Sequence, residues 1–190
     1  MRPSQVVRVS PPTDEPVSLA DAKAHLRMTH DAQDALIEGL IRDARARVEG
    51  MTQRPLITQT LQMDYSRFSD TLHLGRAPIQ DVVSVSYLDL AGERQTLATT
   101  EYQLLLGATD PTLIPISAWP NHLQRHESVQ VTVTAGYGDD PEDVPGDLRR
   151  AILLLIGHWH ENAELSAPVL MREVPRTFDW IINDYRYYRF

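Results

Sequence analysis

The apolar residues of this chain change their period twice, and that restricts it to a fold of separate helical and strand parts. Up to about Pro55 they recur at helical spacing. From Pro55 to Gly138 they alternate at every second position, and helical spacing returns from Val144. A period of 3.6 places side chains on one face of a helix, and a period of 2 places them on one face of a half-buried strand. The expected class is α+β: a helical bundle of an N-terminal helix pair plus a long C-terminal helix, with an inserted antiparallel β domain and an extended C-terminal tail. The expected boundaries are 1–16 for an N-terminal arm, 17–54 and 139–165 for the helical domain, 55–138 for the inserted β domain, and 166–190 for the tail.

The long helix is the most informative piece. Pro145 suits a first helical position and Asp147 faces the positive end of the dipole. At 100° per residue, Leu148, Ala151, Ile152, Leu155, Ile156 and Trp159 share one face. Arg149, Arg150, His160, Glu161 and Glu164 lie on the other side, and Leu153 and Leu154 flank that polar face. One stripe packs a helix on its own domain, so the extra leucines call for a second surface. Leu153, Leu154 and Trp159 are therefore the expected interface residues.

Residues 1–16 hold four prolines and read either as an arm adding Val6, Val7 and Val9 to a sheet edge or as a disordered tail. Ser18 with Asp21 reads as the start of a short helix, and Asp31 as the cap of a longer one to about Met51. In that helix Leu36, Ile37, Leu40, Ile41, Ala44, Val48 and Met51 form the apolar stripe. Asp34, Glu38, Arg42, Arg45 and Glu49 form the expected wet side, and Gly50 and Pro55 mark the exit. Strands are expected where Leu61, Met63 and Tyr65, then Val83, Val85 and Tyr87, then Tyr102, Leu104 and Leu106, then Val129, Val131 and Val133 alternate with polar residues. Asp89-Leu90-Ala91-Gly92-Glu93 reads as a turn between two of them.

Six of the thirteen aromatic residues fall in the last thirteen positions. If that end is helical, Phe178, Ile181, Ile182, Tyr185 and Tyr188 share a face, with Trp180 and Tyr187 on the other. Either the tail folds back on its own domain or it docks into another protein, and its two-sided apolarity favours docking.

The composition excludes several classes. There is no cysteine, hence no disulfide and no thiolate ligand or nucleophile, which fits a reducing compartment. No apolar run approaches the roughly 18–20 residues of a membrane span, and the first residues lack a signal-peptide core. A net charge of −8 argues against a phosphate-binding protein. His158, His160 and Glu161 are the densest catalytic-type cluster, but they lack a zincin pattern and are expected to be interfacial, with no metal and no cofactor bound. His122 and His126 read as surface loop, and Asp139-Asp140-Pro-Glu142-Asp143 as a solvated turn before the helix. Arg42, Arg45, Arg47, Arg149 and Arg150 would form a basic patch only if their helices are neighbours, and a salt-bridged surface is the plainer expectation.

The order of parts adds a resemblance. The chain runs from Glu15-Pro-Val-Ser-Leu-Ala-Asp-Ala-Lys-Ala-His-Leu26, through Val48-Glu-Gly-Met-Thr-Gln-Arg-Pro-Leu56 and Ala77-Pro-Ile79, to the Asp-Leu-Ala-Gly turn and Trp119-Pro120. Ala135-Gly-Tyr-Gly138 and Val144-Pro145 then lead into Ala151-Ile-Leu-Leu-Leu-Ile-Gly-His-Trp-His-Glu161. From about residue 15 onward this is similar to the head–tail connector (adaptor) family of long-tailed bacteriophages, in its longer form with a β insertion. Such proteins also occur in phage-derived gene transfer agents. It departs from the family at His158-Trp-His160, where a Tyr near the second His is expected, and at its strongly aromatic end; Ile181-Ile182-Asn183-Asp184-Tyr185-Arg186 is close to the usual Leu-Leu-x-x-Tyr-Arg ending.

The resemblance implies a non-enzymatic virion protein made in the bacterial host cytoplasm and placed at the capsid vertex. It implies a homo-oligomeric ring, twelvefold in such proteins, that docks under the portal protein and extends the DNA channel. The ring gives a tail-side stopper or neck protein its platform. Double-stranded DNA would pass through the lumen without sequence-specific binding, with no membrane involved. Portal binding would fall to the tail residues Phe178, Trp180, Ile181, Ile182, Tyr185, Arg186, Tyr187, Tyr188 and Phe190. The alternatives are another neck component, a stopper or tail terminator, and a metal-dependent hydrolase using His158, His160 and Glu161.

Overall fold

A computed structural model describes residues 1–107, 110–162 and 176–187. Among the described residues it is a mixed α+β structure with four α-helices and two antiparallel sheets. The chain divides into two compact units, one of residues 1–13 and 58–137, the other of residues 14–57 and 138–190. No helix among the described residues is long and apolar enough to cross a membrane.

The β unit holds a five-stranded sheet. Its strands are β1 (Gln5–Ser10), β2 (Gln59–Tyr65), β4 (Ile79–Leu88), β5 (Arg94–Leu97) and β8 (Val129–Ala135), in the order β1-β2-β8-β4-β5. The second sheet is β3 (Leu72–His73), β7 (Thr112–Pro115) and β6 (Tyr102–Leu105), in the order β3-β7-β6. Of the two readings of the N-terminal arm, the sheet edge is the one observed: Val6 lies opposite Met63 and Arg8 opposite Leu61. Leu61, Met63 and Tyr65 share one core with Val129, Val131 and Val133 and with Leu72 and Leu113 of the smaller sheet. Gly92, at φ +88°, closes the β4–β5 turn, and the Asp89 carboxylate accepts from the N–H groups of Ala91 and Glu93.

Strict alternation fails in two places. Val83 was expected in the core with Val85, yet it is 57% exposed, because the register between β4 and β8 slips between Val82 and Ser84. A bulge inserts one residue and turns its side chain out, so Val82 and Val85 are the buried pair. Leu106 lies past the end of β6 and is exposed.

Beside that core, Phe68 and Trp119 stack with centroids 4.4 Å apart. The Trp119 indole donates to the Ser69 carbonyl at 2.7 Å. The His122 Nε2 accepts from the Phe68 N–H at 3.1 Å, which leaves Nδ1 as the donor to the Pro120 carbonyl. His122 is thus a structural strut, whereas His126 is exposed as expected.

The helical unit contains α1 (Leu19–Leu26), α2 (Asp34–Thr52), α3 (Gly146–Asn162) and α4 (Arg176–Tyr185). The Ser18 hydroxyl caps α1 by accepting from the Asp21 N–H at 3.1 Å. Asp31 does not cap α2: the cap position is Gln33, which makes no side-chain cap bond. The Lys23 ammonium instead draws in the carboxylates of Asp31 and Asp34, the latter at 2.7 Å. The helix runs two residues past Gly50 and stops where Gln53 adopts φ +61°.

Arg45 and Glu49 are not on the wet side of α2 but buried. The Arg45 Nε donates to Glu15 at 2.7 Å and its Nη1 to Glu49 at 3.0 Å. The other Glu49 oxygen accepts from the Leu56 N–H at 3.0 Å. Burial pulls the Arg45 pKa down, but the Glu15 hydrogen bond and the two carboxylate charges outweigh it and raise it above the usual value.

Candidate functional site

The α3 stripe packs as its spacing predicts. Leu148, Ala151, Ile152, Leu155 and Ile156 are all buried, and Trp159 is half-buried beside them. Leu153 and Leu154 remain half-exposed, as does Arg149, whose buried Nε has no acceptor.

A groove of about 420 Å³ runs between α1 and α3 in this unit. Pro16, Val17, Asp21 and His25 form one wall, and Gly146, Arg149, Arg150 and Leu153 form the other. His25 lies against Gly157, where a β-carbon would meet its Nε2 at 3.3 Å. Sequence reasoning missed this groove. Its signal was the adjacent pair Arg149-Arg150 one turn before the surplus Leu153.

The five arginines do not make one patch. Arg45 is buried in its carboxylate pair, and Arg42 and Arg47 are exposed on the outer side of α2. Arg149 and Arg150 line the groove.

The described part of the tail is the helix α4. Phe178, Ile181 and Ile182 are buried within the helical unit, where α4 packs on α2 and α3. The Tyr185 carbonyl accepts from the Arg54 Nε at 2.8 Å, and the Tyr187 N–H donates to the Thr52 carbonyl at 3.2 Å. Burial raises the Tyr185 pKa, and the Asp147 and Asp184 charges push it the same way against Arg54. Trp180 is 68% exposed and Arg186 is exposed, while Tyr187 is half-buried. Tyr188 and Phe190 lie outside the described residues.

The His158–Glu161 cluster assembles no centre. His160 Nε2 lies 2.9 Å from the Gln33 side-chain oxygen at the head of α2, so that ring holds two helices together. Among the described residues no three His, Asp or Glu gather as a metal site would require. Asp139–Asp143 forms an exposed turn in which the Asp143 carboxylate accepts from the Asp140 N–H at 3.2 Å.

This arrangement has the parts of a protein that binds other proteins: a lined groove, half-exposed leucines on a buried helix, and an exposed tryptophan. Residues 16–103 match the family described as Phage gp6-like head-tail connector protein. The chain is also similar to a chain in the neck of an empty GTA particle computed with C6 symmetry, at 23% identity and a TM-score of 0.81, covering 98% of this chain and 97% of that one. A chain in the virion of a native gene transfer agent (GTA) particle matches at 24% identity and a TM-score of 0.79, with 98% and 97% covered. A third, from the neck of a native GTA particle computed with C12 symmetry, matches at 23% identity and a TM-score of 0.74 over the same shares. No curated protein matches the chain. Residues 16–103 thus carry a likeness to the phage gp6-like head-tail connector proteins, a structural and non-enzymatic family, and the chain has the fold of chains found in gene transfer agent necks.

Proposed function

We propose that this chain is a ring subunit in the neck of a virion, seated between the portal and a tail-side protein. The head–tail connector match carries the reading, and full-length fold similarity to neck chains of symmetric particles supports it. The helical unit forms the ring body and the ring is twelvefold. Leu153, Leu154 and Trp159 contribute to contacts between subunits, since exposed leucines beside a packed stripe are stabilised by a second surface.

The tail meets the portal. Phe178, Ile181, Ile182 and Tyr185 hold α4 on the helical unit, and Trp180, Arg186 and Tyr187 make the contact, with the last residues, Tyr188 and Phe190, extending it. Trp and Tyr are the side chains that most often anchor protein interfaces. The lumen carries double-stranded DNA without holding it: a net charge of −8 per subunit repels phosphate over the roughly 8–10 Å screening length at physiological salt.

The test is assembly of the purified chain with the portal protein of the same particle, read by electron microscopy. A closed ring beneath the portal is the expected result. A chain that stays monomeric with the portal, or that binds the tail tube instead, overturns the reading.

A further inference from the structure

We propose that the α1/α3 groove receives helix α2 of the next copy of this chain, lying antiparallel to α3. The inference rests on the ring reading above and names its contact. The groove is lined by α1 and α3 with the approach to α1, and no α2 residue contributes to it. The outer face of α2 points away from its own core and carries Leu36, 49% exposed, and Asp43 and Arg47, both exposed. Two different surfaces on one subunit are what a head-to-tail contact around a closed ring needs.

The match is one of spacing and charge. Asp43, Leu40 and Leu36 step back along α2 by three and then four residues. Arg150, Leu153 and Gly157 step forward along α3 by the same intervals. Run antiparallel, the carboxylate meets the guanidinium, Leu40 meets Leu153, and Leu36 meets the His25 ring that lies against Gly157. Each step of three or four residues is about one helical turn, so both sets stay on one face. Among the described residues the side chains of Asp43, Arg149 and Arg150 have no hydrogen-bonded or ion-pair partner. Gly39, on the same outer face as Asp43, has nothing within 4 Å of where a β-carbon would stand, so the α2 backbone can approach closely. The same register carries Arg47 to Gly146, three residues from the exposed Asp143.

The chain contains no cysteine, so introduced ones report unambiguously. A tagged Leu40→Cys chain is mixed with an untagged Leu153→Cys chain, assembled on the portal and oxidised. The expected product is a crosslink between tagged and untagged chains, absent when Val83→Cys replaces Leu40→Cys. In parallel, Arg150→Asp lowers ring occupancy on the portal at least tenfold, and adding Asp43→Arg to that chain restores it. Rings that form normally but give no Leu40–Leu153 crosslink, or a charge swap that fails to restore them, overturn this contact and leave the ring reading intact. A wild-type chain that builds no ring overturns the ring reading and this contact with it.

Discussion

Arg45 Nη1 donates to Glu49 Oε2 at 3.0 Å, one turn along α2, with both side chains more than nine-tenths buried. Removing one member of such a pair strands the other's charge, a loss of about 3–5 kcal/mol. Arg45→Met is therefore expected to lower unfolding stability by about that amount, since it leaves Glu49 and Glu15 without their cation. Glu49→Gln keeps an acceptor for the Leu56 N–H and should lose only about 1–3 kcal/mol. Urea unfolding of both variants checks the order, and an Arg45→Met chain as stable as the parent would contradict it.

Gly138 is required by a close approach. A β-carbon there would stand 1.9 Å from Asp143 Oδ2, the carboxylate that accepts from the Asp140 N–H ahead of α3. Gly138→Ala should lower stability by about 1–3 kcal/mol through that overlap. Adding Asp143→Ala removes the obstacle, so the double variant should be more stable than Gly138→Ala alone, while losing about 1 kcal/mol for the missing turn bond. Thermal melts of the three chains decide it.

The alternation of Leu61, Met63 and Tyr65 with polar neighbours was enough to find β2, and that of Val129, Val131 and Val133 to find β8. Period 2 is set by the strand itself and needs no knowledge of partners. The α3 stripe was legible for the same reason. Val83 was not, because a bulge is a property of the pairing between two strands. Arg45 and Glu49 were assigned to water by residue type. Their angular positions fall within the buried sector of α2, but their burial depends on Glu15 and the Leu56 N–H, which the chain brings in from outside the helix. The groove was hidden likewise: its walls come from α1 and α3, more than a hundred residues apart.

Tyr65 gives the β unit an alkaline limit. Burial raises its pKa far above the ordinary value of 10, and the Asp110 charge adds to the effect. Above pH 10 the unfolded chain releases a proton that the folded chain keeps. The unfolded state then binds fewer protons, so stability falls as pH rises. Stability should be insensitive to Tyr65 below pH 10 and fall above it by up to about 1.4 kcal/mol per pH unit. Tyr65→Phe should flatten that fall while losing about 1 kcal/mol at neutral pH from its hydrogen bond to the His73 carbonyl. Denaturant melts between pH 8 and pH 11, on parent and variant, give both quantities.

The two sides of α4 separate folding from docking. Phe178 is 3% exposed and Trp180 is 68% exposed, two residues apart on one helix. Phe178→Ala opens a cavity in the helical unit and should lower its stability by about 3–5 kcal/mol. Trp180→Ala removes a side chain that faces water and should change stability by no more than about 0.5 kcal/mol. If Trp180 anchors the portal contact, its loss should weaken portal binding by roughly thirtyfold or more, the effect of an interface residue worth about 2 kcal/mol. Binding by the Trp180→Ala chain at parental affinity, with its fold intact by circular dichroism, would move the portal contact off this face of α4. The adjacent Arg186 and Tyr187 would then be the wrong residues as well.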